Sequence, residues 1–256
     1  MRVVLLAGGL GTRLQIESGS RPKPMVEVGG MPLLLHIMQI YARFGFKEFV
    51  VALGHKGDVI KDYFTNINNI LGDLTVDLST GGVTVHSKEH LDWKIHLVDT
   101  GLNTQTGGRL AKLKDWIGDE TFMMTYGDGV ADVDLQELVS FHKRHNKIVT
   151  VTAVKPPARF GSLQFDGDAV THFNEKPDTS EGWINGGFFV LEPDVFEYVG
   201  DENTPFERQP MEDLVRDGQL NAYKHEGFWQ CVDTPRDLRL LEELWASDMV
   251  PWLAGR

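Results

Sequence analysis

Three glycines, Gly8, Gly9 and Gly11, followed by Thr12 and Arg13, come directly after the short apolar run Val3 to Ala7. A chain of phosphates needs backbone N–H groups aimed at it, and glycines permit the close approach and unusual dihedrals this takes. The fork-shaped guanidinium of Arg13 suits phosphate oxygens. Ten residues on, Pro22-Lys23-Pro24 sets a lysine between two prolines. Proline fixes φ, lacks an N–H and biases its predecessor toward extended backbone, which presents Lys23 from a stiff, non-helical segment. The glycines alone describe an ordinary turn equally well. The two cations in this order after a strand favour a phosphate site.

Two aspartates stand where a metal is of use. Asp128 lies between Gly127 and Gly129, just past the apolar run ending at Tyr126. In an open α/β sheet, ligands bind beyond the carboxyl ends of the strands. A hard carboxylate there suits Mg²⁺, which takes one or two protein oxygens together with phosphate and water. A turn aspartate is the alternative. Asp233 precedes Thr234-Pro235, which resemble the cap and first residue of a helix, so by itself it reads as a helix-start residue. Asp132 and Asp134, ahead of Leu135, read as helix caps.

Other chemistries find no footing. No Gly-Lys-Ser/Thr of a P-loop follows the glycines, and Leu14 stands where the third glycine of a dinucleotide fingerprint belongs. There is no G-x-S-x-G elbow, and Cys231 has no evident base partner. His86, His90 and His96 match no common zinc spacing and read as exposed polar residues on hairpins.

Gly8-Gly9-Leu10-Gly11-Thr12-Arg13, with Lys23-Pro24-Met25 after it, resembles the signature of the sugar-phosphate nucleotidyltransferases. The resemblance implies that Leu6, Ala7, Gly8, Gly9, Gly11, Thr12, Arg13, Lys23 and Gly127 surround a nucleoside triphosphate, with Arg13, Lys23 and Asp128 catalytic. It implies Mg²⁺ held between Asp128 and Asp233, which reverses the helix-start reading of the latter. Asn174-Glu175-Lys176-Pro177 and Ile184-Asn185-Gly186-Gly187-Phe188 resemble the family's sugar-side motifs, so Glu175, Lys176, Asn185 and Gly186 inherit sugar-phosphate binding. A surface ion pair and a strand bulge are the respective alternatives. Val98-Asp99-Thr100-Gly101 and Thr104-Gln105-Thr106-Gly107-Gly108-Arg109 look like the nucleotide side of the branch that joins CTP to glucose 1-phosphate. Thr104 and Arg109 then become base or triphosphate contacts. The resemblance covers nearly the whole chain and implies a homo-oligomer working in nucleotide-sugar biosynthesis.

The elements needed to position these residues are visible in the apolar patterning. Val3 to Ala7 and Glu48 to Leu53 read as buried strands, and Thr121 to Tyr126 as a third. Pro32 to Phe44, Asp58 to Phe64, Gly108 to Ile117, Asp134 to Asn146 and Pro235 to Trp245 read as helices. Strands separated by helices predict a Rossmann-like, mostly parallel α/β sheet flanked by helices. Leu74 to Val98 reads as antiparallel hairpins, Ile148 to Val154 as a strand, and residues 161–192 mainly as strands; the resemblance implies that added antiparallel strands serve sugar binding and oligomerisation. One nucleotidyltransferase domain is expected over residues 1–256, its nucleotide part roughly 1–130 and its sugar part roughly 131–256. Trp245 and Trp252 suit either an interface or the core.

The net charge of −12 argues against nucleic acid or an acidic membrane as partner. A small phosphorylated ligand feels a local cluster of cations instead. The first apolar run breaks at Gly8-Gly9, short of the ~7–15 residues a secretory leader's core takes. With one cysteine, no internal disulfide can form, and a cytoplasmic setting is expected.

Overall fold

The structure is a computed structural model, and it describes residues 1–9, 21–86, 91–156, 162–166, 169–174 and 182–253. Its centre is one sheet built on β1 (Val3–Leu6), β2 (Glu48–Leu53), β3 (Lys94–Asp99), β4 (Phe122–Tyr126), β6 (Val149–Val154), β7 (Phe189–Leu191) and β8 (Leu220–His225). β1 pairs in parallel with β2 and β4, and β2 in parallel with β3. β7 runs antiparallel between β4 and β6, and β8 closes the far edge parallel to β6. The carboxyl ends of β1 to β4 therefore lie along one rim.

β1 shows why the sheet is covered on both sides. Val3 and Leu5 belong to one apolar core, Val4 and Leu6 to another, and all four are buried. Against the first face pack α1 (Leu33–Arg43), α2 (Gly57–Thr65), α4 (Leu135–His145) and α6 (Pro235–Ala246); against the second, α3 (Thr106–Lys112) and α5 (Gln209–Arg216). α1 buries Leu33, Leu34, Leu35, Ile37, Met38, Ile40 and Tyr41, so it lies within the core and not on it. Trp252 is 1 % exposed and stacks on Phe228 in the first core; packing accounts for it.

Several expectations need correction. Lys94 to Val98 is no hairpin but the edge strand of the parallel sheet; half-exposed edges alternate polar and apolar residues as hairpins do. The hairpin is confined to Asp73–Asp77 and Gly82–His86. His96 consequently sits on β3 against Glu48, and only His86 lies on that hairpin, bonded to Thr75; His90 lies outside the described residues. The expected helix from Gly108 to Ile117 is two pieces, Thr106–Lys112 and Lys114–Ile117. Asp134 caps α4, accepting from the Gln136 and Glu137 N–H groups, but Asp132 pairs with His225 at 2.8 Å instead. α5, β8 and the strand Trp229–Cys231 have no counterpart in the sequence reading.

Near the amino ends of β1 to β3, Glu48 accepts from His96 and from Arg2, and Lys94 lies 3.4 Å away. These partners, His96 foremost, hold its pKa down at about 2 against the partial desolvation that opposes them. A depressed carboxylate contributes stability above its unfolded value near 4.5 and loses it as pH falls toward 2. Glu48→Gln is expected to lower Tm by about 2–4 °C at pH 7, the scale of a partly exposed charge network. Melting both proteins down to pH 2.5 should show the gap closing; a gap independent of pH would refute the assignment.

Candidate active site

Ala7, Gly8 and Gly9 continue β1 past the rim, and hydrogen bonds tie them to the neighbouring loops. The Ala7 N–H donates to Ala52 O and the His55 N–H to Gly8 O. The Gly127 N–H donates to Leu6 O, and the Thr100 N–H to Leu53 O. Arg109 of α3 lies beneath this seam, 4 % exposed. Its Nη1 donates to Leu53 O, Thr100 Oγ1 and Gly101 O, and its Nη2 to Gly8 O and Leu102 O. A buried guanidinium needs acceptors, and here the turning backbone of three strand ends supplies them. Burial pulls its pKa below the usual arginine value, with the Asp99 charge acting the other way. A Cβ on Gly8 would fall on this guanidinium, so the glycine is required for close approach.

The structure thus joins Arg109 to the backbone of the loops expected to hold a nucleotide. Thr104 is engaged similarly, its Oγ1 donating to Thr100 O. Arg109→Lys offers three donors from a point charge in place of a planar fork. It is expected to weaken nucleotide binding about tenfold or more, the scale of losing a charge-assisted bond, with sugar phosphate binding unchanged. Separate calorimetric titrations with a nucleoside triphosphate and a sugar 1-phosphate test this; equal losses for both would mean general damage.

Asp128 and Asp233, 105 residues apart in sequence, meet through a two-stranded clasp. β5 (Gly129–Ala131) pairs antiparallel with β9 (Trp229–Cys231), placing Cys231 opposite Gly129. The Val232 N–H then donates to Asp128 O at 2.8 Å. Asp233 is not the cap of α6: Thr234 is, with Asp237 completing a capping box. The Asp233 backbone N–H donates to Asp237 Oδ2, and its own carboxylate accepts from Lys23.

Lys23 opens a single 3₁₀ turn, Lys23–Met25, where a non-helical segment is expected from the sequence; Pro24 sits in its first turn, where a missing N–H costs nothing. From there Lys23 Nζ donates to Asp128 Oδ2 and to Asp233 Oδ1, both at 2.6 Å. Burial works to lower the pKa of this ammonium, but Asp128 and Asp233 together hold it above the normal lysine value. The lysine is charged. Burial and the same carboxylates push the Cys231 thiol up to about 11, so it is no thiolate nucleophile at neutral pH.

Leu6, Ala7, Gly9, Lys23, Thr104, Arg109, Gly127 and Asp128, expected from the sequence, line a cleft of about 220 Å³ together with Tyr126. Beside Tyr126, Asn185 Nδ2 donates to Tyr126 Oη, which donates to Glu207. Gly186 lies in a break between Ile184–Asn185 and β7, both paired with β6, and its carbonyl accepts from Trp229 Nε1. Tyr126 and Trp229 lie in motifs that carry the resemblance but were not assigned to the site, and Glu207 was not singled out in the sequence. Gly11, Thr12, Arg13, Glu175 and Lys176 lie outside the described residues.

Two carboxylates whose oxygens close on one cation, beside a cleft, fit a divalent ion that draws its remaining ligands from phosphate and water. Among the described residues, no group of three or more His, Cys, Asp or Glu forms a self-sufficient metal cage.

Residues 2–245 match the nucleotidyl transferase family. The chain belongs to that family. Within it, the chain is 46% identical over 253 residues to the glucose-1-phosphate cytidylyltransferase of Salmonella typhi, covering 98% of both proteins. It is 43% identical to the probable glucose-1-phosphate cytidylyltransferase of Bacillus subtilis, over 98% of this chain and 99% of the other. Among solved structures, HddC from Yersinia pseudotuberculosis superposes with a TM-score of 0.70 at 24% identity, covering 95% and 99% of the two chains. UDP-glucose pyrophosphorylase in complex with UDP-glucose superposes at 0.68 with 15% identity, over 96% and 98%. These two establish the fold of this nucleotidyl transferase, the mixed α/β sheet flanked by helices.

Proposed function

We propose that this nucleotidyltransferase moves the cytidylyl group of CTP onto glucose 1-phosphate, giving CDP-glucose and pyrophosphate. The observation that carries the reading is Lys23 drawn between Asp128 and Asp233 at the mouth of the cleft. The identity with two glucose-1-phosphate cytidylyltransferases supports the choice of substrates.

The sugar phosphate attacks the α-phosphorus of CTP. With a second pKa near 6, a phosphate monoester is already largely dianionic at neutral pH and needs no general base. That agrees with a protonated Cys231. The obstacle is repulsion between two polyanions, so catalysis consists of charge neutralisation and in-line positioning. Asp128 and Asp233 would hold Mg²⁺, whose contribution when bound is to offset phosphate charge. Lys23 supplies a charged donor to the reacting triphosphate, and Arg13 is assigned a second. The seam pinned by Arg109 gives the triphosphate its backbone donors at Gly8 and Gly9. Glu175 and Lys176, with Asn185 and Gly186, take the sugar phosphate. Because the sugar C–O bond is untouched, the anomeric configuration is retained.

In this reading the nucleotide part spans roughly residues 1–130 and the sugar part roughly 131–256, in a cytoplasmic homo-oligomer. No helix among the described residues is long and apolar enough to cross a membrane. Pyrophosphate release across CTP, UTP and dTTP with several sugar 1-phosphates tests the assignment. The expected optimum is CTP with glucose 1-phosphate; a clear preference for another pair would overturn the substrate choice while leaving the reaction class.

A further inference from the structure

The contacts of Lys23 bear on how a metal can reach the two carboxylates. The Nζ atom is 2.6 Å from an oxygen of each, and the lysine side chain is only 14% exposed. These are short, charge-assisted contacts in a partly desolvated setting. A divalent cation bound to the same oxygens would lie against the ammonium, and like charges at that separation repel strongly outside bulk water. The ammonium and the metal therefore compete for one place. Lysine is suited to yielding it, being a point charge on a flexible four-carbon stem, and Lys23 also lines the cleft that would receive it.

We infer that Lys23 acts as a resident cation between Asp128 and Asp233, excluding free divalent metal until a metal–triphosphate chelate arrives and draws the ammonium onto its phosphates. Before the exchange the ammonium faces carboxylates; after it, the ammonium faces phosphate and the carboxylates face metal. Each cation keeps an anion throughout. The inference rests on the cleft being a nucleotide site and deepens that reading: the substrate is the chelate, not free triphosphate meeting metal-loaded protein.

The test is Mn²⁺ affinity of full-length protein without nucleotide, from the electron paramagnetic resonance signal of unbound Mn²⁺. Lys23→Met keeps length and removes charge, with Lys23→Gln as a second variant should the first fold poorly. Either is expected to bind Mn²⁺ at least about tenfold more tightly than the unaltered protein, since bonds to a charged group contribute on that scale. Adding Asp128→Asn should abolish the gain. Unchanged or weaker Mn²⁺ affinity in folded Lys23 variants overturns the inference, as does a gain that survives loss of Asp128. Calorimetry with the Mn²⁺–CTP chelate separates the two levels. If the unaltered protein binds the chelate but the Lys23 variants gain no Mn²⁺ affinity, only the inference fails. If it does not bind the chelate at all, the nucleotide reading fails and the inference falls with it.

Discussion

Replacing Lys23 by alanine is expected to reduce turnover about 10²–10³-fold, the range measured when one preorganised donor to a developing charge is removed. The expectation follows from position. Lys23 is held by a proline-flanked 3₁₀ turn, is charged, and lines the cleft beside Asp128. Alanine removes the cation and also leaves two carboxylates facing each other without their shared partner. Arginine at this position keeps the charge but not the compact geometry, and should recover only part of the loss. Steady-state kinetics with saturating Mg²⁺ separates kcat from KM. A loss confined to KM for CTP would make Lys23 a binding group only. Turnover within a few-fold of normal would remove it from the catalytic set.

The legible parts of this site are those whose chemistry is local. Gly8 announces itself because only glycine lets Arg109 approach, and a glycine run after an apolar strand is visible without a fold. Lys23 is marked by its prolines, although they place it on a 3₁₀ turn and not in a non-helical segment. Asp128 follows a strand end, where open sheets collect ligands. Asp233 is different: its neighbours spell a helix start, and that helix start exists, capped one residue later by Thr234. What turns Asp233 toward Asp128 is the pairing of β5 with β9, a contact that no local pattern encodes. Resemblance supplied the pairing of the two aspartates; the clasp supplies its physical reason.

Arg109 shows a second limit. The resemblance makes it a base or triphosphate contact. The fold also surrounds it with four carbonyls and a hydroxyl, making it a brace for the loops. Asp132 likewise looked like one more cap until β8 brought His225 to it. Strand β3 was hidden for the opposite reason. As an exposed edge it alternates like a hairpin, and only its register with β2 identifies it as part of the parallel sheet.

Asp128→Asn is expected to raise the Mg²⁺ concentration for half-maximal activity at least about tenfold, with a fall in kcat that added metal repairs only partly. A neutral amide oxygen is a poorer ligand for a hard cation than a carboxylate, and this site has few protein oxygens to lose. The same change in Asp233 should act in the same direction, because both carboxylates close on one cation-sized space. Their effects should not add. Once one ligand is gone the ion is already poorly held, so the double variant should resemble the worse single variant instead of multiplying the losses. Non-additivity is the informative outcome, since two independent structural defects would multiply. Thermal melts in the absence of metal provide the control: removing a carboxylate that only braced Lys23 would lower Tm without moving the Mg²⁺ titration. A titration unchanged in Asp128→Asn would end its candidacy as a ligand, and strictly multiplicative losses would place the two aspartates in separate tasks.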